Sequence, residues 1–291
     1  MLNMNAQGQY RSKRQMELIS KTIIFIIVAL GAFVCIYPLL WMLATSLKEN
    51  TEAYTNQVSL IPSEFVFENY LNIWKEAPMA RGMINSVMIT TVTVTFSMLT
   101  ASLAAFAFAK LNFPMKNFLF LLLLSSNMIP FATIMLPQFI LLKKMKLLVD
   151  FWGYLLPRCV GGAMTIFFLR QYLYGVDNSV IEAAKIDGAN LWTIFWKIVL
   201  PLISAAVVAQ TILAFIGSWN DYMGPLLFIR NKDWYTISLV LSQFNKGTSG
   251  ANNSLTNLMA ASIVTLIPVL VVFGVFQKQI INSVMLSGVK M

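Results

Sequence analysis

Along the chain, long apolar stretches alternate with shorter polar segments, and the apolar ones recur at about 22–46, 86–109, 117–142, 151–173, 200–229 and 257–277. Each approaches or exceeds the roughly 20 residues that carry an α-helix across a bilayer. They are too long for barrel strands, which read as alternating segments of about ten residues. In lipid every backbone polar group must be paired internally, so the pattern predicts an all-α membrane protein with six transmembrane helices. A polar tail, residues 1–21, precedes the membrane domain at 22–291.

Two connections are long. The first, about 47–85, contains the amphipathic stretch Phe67-Glu68-Asn69-Tyr70-Leu71-Asn72-Ile73-Trp74, which predicts a short interfacial helix. The second, about 174–199, lies between spans four and five. Arg11, Lys13, Arg14 and Lys21 ahead of the first span place the amino terminus in the cytoplasm. Six spans return the carboxyl terminus to that side and make 174–199 a cytoplasmic loop. Summed over all loops, these four included, the cations divide nearly evenly between the two sides, so the rule barely decides.

Composition agrees. Hydrophobic residues make up 58% of the 291 positions and charged residues 11%, less than half the charged share of a soluble domain. The net charge of +9 comes from cations scattered among the ends of apolar runs, without the basic stripe of a nucleic-acid-binding protein. Cys35 and Cys159 are far apart and suggest no disulfide framework. The absence of histidine excludes Ser-His-Asp and Cys-His catalysis and histidine proton relays. No catalytic cluster or metal-ligand set is visible. Few acids lie deep in the spans, which argues against proton coupling through buried carboxylates. No G-x-x-x-x-G-K-[ST] phosphate loop occurs, so nucleotide hydrolysis would belong to other chains.

The cytoplasmic loop is the most informative polar segment. Ser179-Val180-Ile181-Glu182 fits a capping box, which predicts a helix starting at Ser179. It runs through Ile186 and meets Gly188, suited to a left-handed C-terminal conformation. Asn190 predicts a second cap, with a helix through Trp192 and Phe195 until Leu200-Pro201 opens the fifth span. Ile181, Ala184 and Gly188 share one side, flanked by Glu182 and Asp187. That face could insert into a partner's groove or lie on the membrane surface.

The segment Glu182-Ala183-Ala184-Lys185-Ile186-Asp187-Gly188-Ala189, followed by Ile198-Val199-Leu200-Pro201, resembles the EAA loop of binding-protein-dependent ABC importer permeases. It is similar to their carbohydrate-uptake subfamily, on the side of the maltose importer's smaller membrane subunit. Matching pieces recur nearly throughout: Tyr37-Pro38-Leu39-Leu40-Trp41, Ser46-Leu47-Lys48, Glu68-Asn69-Tyr70, Asn85-Ser86, Trp219-Asn220-Asp221-Tyr222, Phe276-Gln277-Lys278 and Gly288-Val289-Lys290. Asp221 stands where many members carry Glu, and Ser283-Val284-Met285-Leu286-Ser287 replaces a Gly-Leu-Thr-type tail.

The resemblance implies a non-catalytic permease subunit in a bacterial cytoplasmic membrane, importing a sugar or oligosaccharide. It implies a second permease subunit, two ATPase subunits holding ATP-Mg, and an extracytoplasmic solute-binding protein, with no cofactor bound by this chain. Glu182, Ala183, Ala184, Asp187 and Gly188 would form the coupling helix that docks into an ATPase. A self-sufficient carrier or channel is the alternative.

Candidate pathway residues are Asn127, Gln210, Trp219 and Asn220. Asn127 lies in the third span, where Pro130 and Pro137 predict a bend or break. Gln210, Trp219, Asn220 and Asp221 lie along the fifth. A carboxylate at the bilayer centre costs on the order of 3 kcal/mol, so Asp221 should be interfacial, paired or functional. In the second span Ser86, Thr90, Thr93, Ser97 and Thr100 form one helical stripe, which suits close helix packing better than a water-filled route.

Overall fold

The computed structural model describes the backbone of residues 2–148, 150–244 and 254–288, and the side chains of 16–148, 150–244 and 254–277. The side chains of Arg11, Lys13, Arg14, Lys278 and Ser283 to Ser287, and all of Val289-Lys290, lie outside the described residues. Every regular element among the described residues is helical. Met16–Ser46, Met79–Lys110, Trp152–Tyr174 and Leu255–Gln277 are each long and apolar enough to cross a membrane. Two bent pairs, Lys116–Ser126 with Phe131–Lys144 and Leu191–Leu202 with Ser204–Trp219, raise the number to six if each is one span. Each overlaps one of the apolar stretches, although Leu191–Leu202 lies mostly in the segment read as the 174–199 loop.

The chain forms two compact units, one from Met1–Ile73 and Ser254–Ile263, the other from Trp74–Asn253 and Val264–Met291. In the first unit α1 (Leu2–Ser46) leads into α2 (Asn50–Thr55) and α3 (Glu68–Glu76). The α3 helix covers the stretch read as an interfacial helix, and polar bonds fasten it to the end of α1. Asn69 Nδ2 donates to the carbonyls of Ser46 (3.0 Å) and Lys48 (2.9 Å), and the Tyr70 and Ser46 hydroxyls lie 2.7 Å apart. Lys48 is fully buried, and its ammonium donates to the carbonyls of Asn56 (2.8 Å) and Ser59 (2.6 Å). Ser46-Leu47-Lys48 and Glu68-Asn69-Tyr70 are thus two halves of one clasp.

The second unit is organised around α4 (Met79–Lys110), a helix of 32 residues. At 1.5 Å per residue it is about 48 Å long, more than the hydrocarbon core of a bilayer. Its hydroxyl stripe is a packing seam. Ser86, Thr90, Thr93 and Ser97 are buried; Ser86 Oγ accepts from the Ile237 N–H (2.7 Å), and Thr90 Oγ1 lies 3.2 Å from Ser218 Oγ. Among the described residues the buried Thr93 hydroxyl has no hydrogen-bond partner.

The third apolar stretch breaks as its prolines predict. It forms α5 (Lys116–Ser126) and α6 (Phe131–Lys144), 97° apart, with Pro130 immediately before α6 and Pro137 accommodated inside it. The fourth stretch, read as one span, is interrupted between α7 (Trp152–Arg158) and α8 (Ala163–Tyr174). The cause is a close approach of Gly161 to α4: a Cβ on Gly161 would lie 2.5 Å from the Ala101 Cβ and 2.7 Å from its Cα and N. Thr100 replaces the interrupted helical bonds. Its hydroxyl accepts from the Gly161 N–H (2.8 Å) and lies within donating distance of the Cys159 carbonyl (3.2 Å).

The 174–199 loop forms α9 (Asn178–Ile186) and α10 (Leu191–Ile194). A π-helical turn, Phe195–Val199, leads to α11 (Leu200–Leu202), and the Leu200 N–H reaches the Phe195 carbonyl across it. Pro201 has no N–H to donate and its ring crowds the preceding turn; the widened turn accommodates both facts. The sharp bend, 78°, comes after Pro201. The straight helix of the fifth apolar stretch therefore begins at Ser204 rather than Leu200. It ends at Trp219 as α12 (Ser204–Trp219), with α13 (Met223–Phe228) separate, so 200–229 is not one helix. A short helix that the sequence reading passed over, α14 (Ile237–Phe244), buries Ile237, Leu239 and Val240 and packs on α4. The last helix is α15 (Leu255–Gly288).

Asp221 proves to be paired. It forms an ion pair with Arg158 and accepts from the Tyr154 hydroxyl (3.0 Å) and the Gly224 N–H (3.1 Å). Its carbonyl accepts from Ser238 Oγ (2.7 Å), so this residue ties α7, α13 and α14 together.

Two outcomes check this architecture. Gly161→Ala overpacks the contact with Ala101 and should destabilise the detergent-solubilised protein by about 1–3 kcal/mol. Gly162→Ala, where nothing lies within 4 Å of the added carbon, should stay within about 0.5 kcal/mol of the parent. Thermal unfolding compares them, and equal effects would exclude the close approach as the cause of the break. Lys48→Met should cost about 1–3 kcal/mol by stranding two carbonyls, read as earlier proteolysis of 47–66 during heating.

Candidate functional site

The α9 helix begins one residue before the position its apparent capping box indicated. Asp177, not Ser179, is the N-cap, its Oδ1 accepting from the Ser179 N–H at 3.0 Å. Either residue type can cap a helix. Only Gly175 and Val176 separate Asp177 from the end of α8, and Asn178 is the first helical residue. The Ser179 N–H holds the Asp177 carboxyl below the ordinary carboxylate range, with a further contribution from the Ser179 hydroxyl. A negative charge here also suits the positive end of the helix dipole.

The other end matches expectation. Gly188 has φ +82°, a conformation that side-chain-bearing residues adopt only under strain. The N–H groups of Gly188 and Ala189 close on the carbonyls of Lys185 (3.0 Å) and Ala184 (2.9 Å). Asn190 Oδ1 then accepts from the Thr193 N–H at 2.8 Å and caps α10. The turn holds the two short helices at a set angle.

Burial divides the named residues. Ile181 and Ala184 point into the chain's own core, where they join Ala105 and Phe106 of α4, Leu169 and Leu173 of α8, and Ile194 and Phe195. Ile181 and Ala184, on the side that the sequence left open to a partner's groove or to the membrane surface, instead seat α9 on its own bundle. Glu182, Ala183, Lys185, Asp187 and Gly188 are exposed. Among them stands Ile186, 86% exposed, which the sequence reading treated only as part of the helix. It lies five residues beyond Ile181, about 140° round the helix, so helical periodicity could have placed it outside. Trp192, 61% exposed, extends the apolar outer surface.

Lys110 was also overlooked. The last residue of α4, it donates through Nζ to the Val176 carbonyl and to Asn178 Oδ1, both at 2.7 Å. Arg170 of α8 reaches back to the Phe108 carbonyl (3.2 Å) and stacks over the Phe120 ring (3.8 Å to its centroid). Lys116 Nζ donates to the Leu111 carbonyl at 2.8 Å. Cations therefore close the open carbonyls where α4, α5, α8 and α9 meet.

The four pathway candidates are not brought together. Asn127 is exposed at the α5 C-cap, Gln210 half-buried midway along α12, and Asn220 exposed at the α12 C-cap. Trp219 is buried, stacks on Phe215 (5.8 Å between centroids) and donates from Nε1 to the Thr265 carbonyl (3.2 Å). Its ring is thus held by packing. Among the described residues no side-chain hydrogen bond joins any two of the four.

Comparison with known proteins identifies the family. The chain is 34% identical to the arabinooligosaccharides transport system permease protein AraQ of Halalkalibacterium halodurans, over 96% of this chain and 99% of that protein. It is 29% identical to the diacetylchitobiose uptake system permease protein NgcG of Streptomyces coelicolor, over 96% of this chain and 91% of that one. Its fold is similar to a chain from the crystal structure of a bacterial ABC transporter involved in the import of the acidic polysaccharide alginate. The TM-score there is 0.78 and the identity 22%, covering 89% of this chain and 96% of the other. Residues 97–285, which include the whole α9–α10 loop, match the family described as binding-protein-dependent transport system inner membrane component. The chain belongs to that family, and is a membrane-spanning permease subunit of an ABC transport system rather than an enzyme.

Proposed function

We propose that the chain is one of two permease subunits of an importer for an oligosaccharide or related sugar, coupled through α9 to separate ATPase subunits. The observation that carries the coupling reading is the outer face of α9. Ile186 stands 86% exposed beside Glu182, Ala183 and Asp187, on a helix whose inner face is already buried. An apolar knob flanked by two acids, Glu182 and Asp187, and by the exposed cation Lys185 suits an apolar groove on a partner whose rim carries complementary charge. Ala184 contributes from the inside by holding the helix in place.

In this reading ATP-Mg is bound and hydrolysed by two ATPase chains. An extracytoplasmic binding protein delivers the solute, and a second permease completes the route. Closure of the ATPases pushes on α9 and moves the membrane subunits between inward- and outward-facing states. Both termini and α9 lie on the cytoplasmic side. A sugar as cargo is supported by the names of the two relatives, so arabino-oligosaccharides and diacetylchitobiose are the first probes. Asn127, Gln210, Trp219 and Asn220 stay candidates for the route, with Asn127 and Asn220 the most accessible.

Purification of the co-expressed complex should recover a second permease and two ATPase copies, with hydrolysis rising when a binding protein loaded with one of these sugars is added. Solute movement by this chain alone in proteoliposomes would overturn the proposal. Gly188→Val places a β-branched residue at positive φ and should lower solute moved per ATP by fivefold or more, roughly the smallest change typical of inter-site coupling. Glu182→Lys and Ile186→Asp should each release the ATPase subunits in mild detergent while leaving the chain in the membrane. Assembly at parental levels in both would remove the outer face of α9 as the docking surface.

A further inference from the structure

We infer that Lys110 is a positioning residue that locks α9 to the second span, so that α4 and the coupling helix move as one body. The inference rests on the coupling reading above and deepens it, by naming the route through which a push on α9 enters the membrane.

The apolar seat of α9 supplies attraction without direction. Burial of Ile181 and Ala184 in the core that also holds Ala105, Phe106, Leu169 and Leu173 is favourable but roughly proportional to area, so it resists sliding weakly. The Lys110 ammonium supplies the missing direction. One nitrogen holds the Val176 carbonyl, just past the end of α8, and Asn178 Oδ1, at the first residue of α9, both at 2.7 Å. Asp177, the cap between them, adds Coulombic attraction. Charge-assisted bonds of this kind are short and angle-dependent. A shift of α9 by one helical turn would lose both at once.

The same helix carries contacts at its far end. Arg81 is ion-paired with Asp233, and Asn85 Nδ2 donates to the carbonyls of Asp233 (2.8 Å) and Tyr235 (3.0 Å). Ser86 Oγ accepts from the Ile237 N–H at 2.7 Å. The α4 helix is continuous between these residues and Lys110. A displacement entering at α9 therefore reaches the segment 233–240 along one rigid rod, provided that the Lys110 lock holds.

The test is made on the assembled importer in proteoliposomes, with ATP hydrolysis and arabino-oligosaccharide or diacetylchitobiose uptake measured together. Lys110→Met should leave subunit assembly intact and lower sugar moved per ATP by about fivefold or more. Asn178→Ala, which removes one of the two acceptors at an exposed position, should give a smaller fall in the same direction. Lys110→Arg, which keeps the charge and the donors, should restore most of the ratio. An unchanged ratio in Lys110→Met overturns the inference. So does a parallel loss of assembly, hydrolysis and uptake that Lys110→Arg does not relieve, since that marks a purely structural cation. Gly188→Val, run beside it, separates the two failures. If Gly188→Val uncouples and Lys110→Met does not, the coupling helix stands and the lock falls. If neither uncouples, the coupling reading falls as well.

Discussion

A membrane helix bundle has no hydrophobic driving force between its helices, because lipid is as apolar as leucine, so close packing and interhelical hydrogen bonds must hold it together. The second unit meets this constraint on one helix. Along α4, small and hydroxylated residues let other backbones approach: Ala101 receives Gly161, Ser86 receives the Ile237 N–H, and Thr100 binds the interrupted backbone of the fourth span. Each contact needs a short side chain on α4. Larger residues would hold the neighbouring helices away and leave their backbone groups unpaired.

The helix breaks follow from the same constraint. Irregular backbone inside a membrane is tolerated only where protein re-satisfies its polar groups, and two kinds of repair occur here. Between α7 and α8, Thr100 supplies a side-chain oxygen to the freed Gly161 N–H. Ahead of Pro201, in the 174–199 segment that precedes the fifth apolar stretch, a π turn redistributes the hydrogen bonds within the chain. Asp221 works similarly for charge: Arg158, the Tyr154 hydroxyl and the Gly224 N–H surround it, so a carboxylate among apolar spans becomes a junction between them.

The loop at 174–199 shows how an amphipathic helix divides its duties. Its inner face, Ile181 and Ala184, joins the core formed by α4 and α8, while Ile186 and the acids remain outside. Seating and presentation are separate jobs on opposite sides of one short helix. Its ends are held by different means: the Asp177 cap and the Lys110 ammonium at the start, the left-handed Gly188 turn at the finish.

By itself the sequence determined the all-helical membrane class, the positions of the six apolar stretches, the break at Pro130, the left-handed turn at Gly188 and the Asn190 cap. These depend on composition and on contacts within a few residues, which local order records. It also carried the family, through the Glu182–Ala189 segment and the pieces spread along the chain. Only the tertiary structure decided that Asp177 rather than Ser179 caps α9, since both offer an oxygen and the path out of α8 selects one. It likewise decided that Ala184 faces inward, that the fourth span breaks at Gly161, that α14 folds against α4 and that Lys110 meets Asn178 across 68 positions. Each depends on which helix lies alongside, and residues distant in sequence are brought together only by packing.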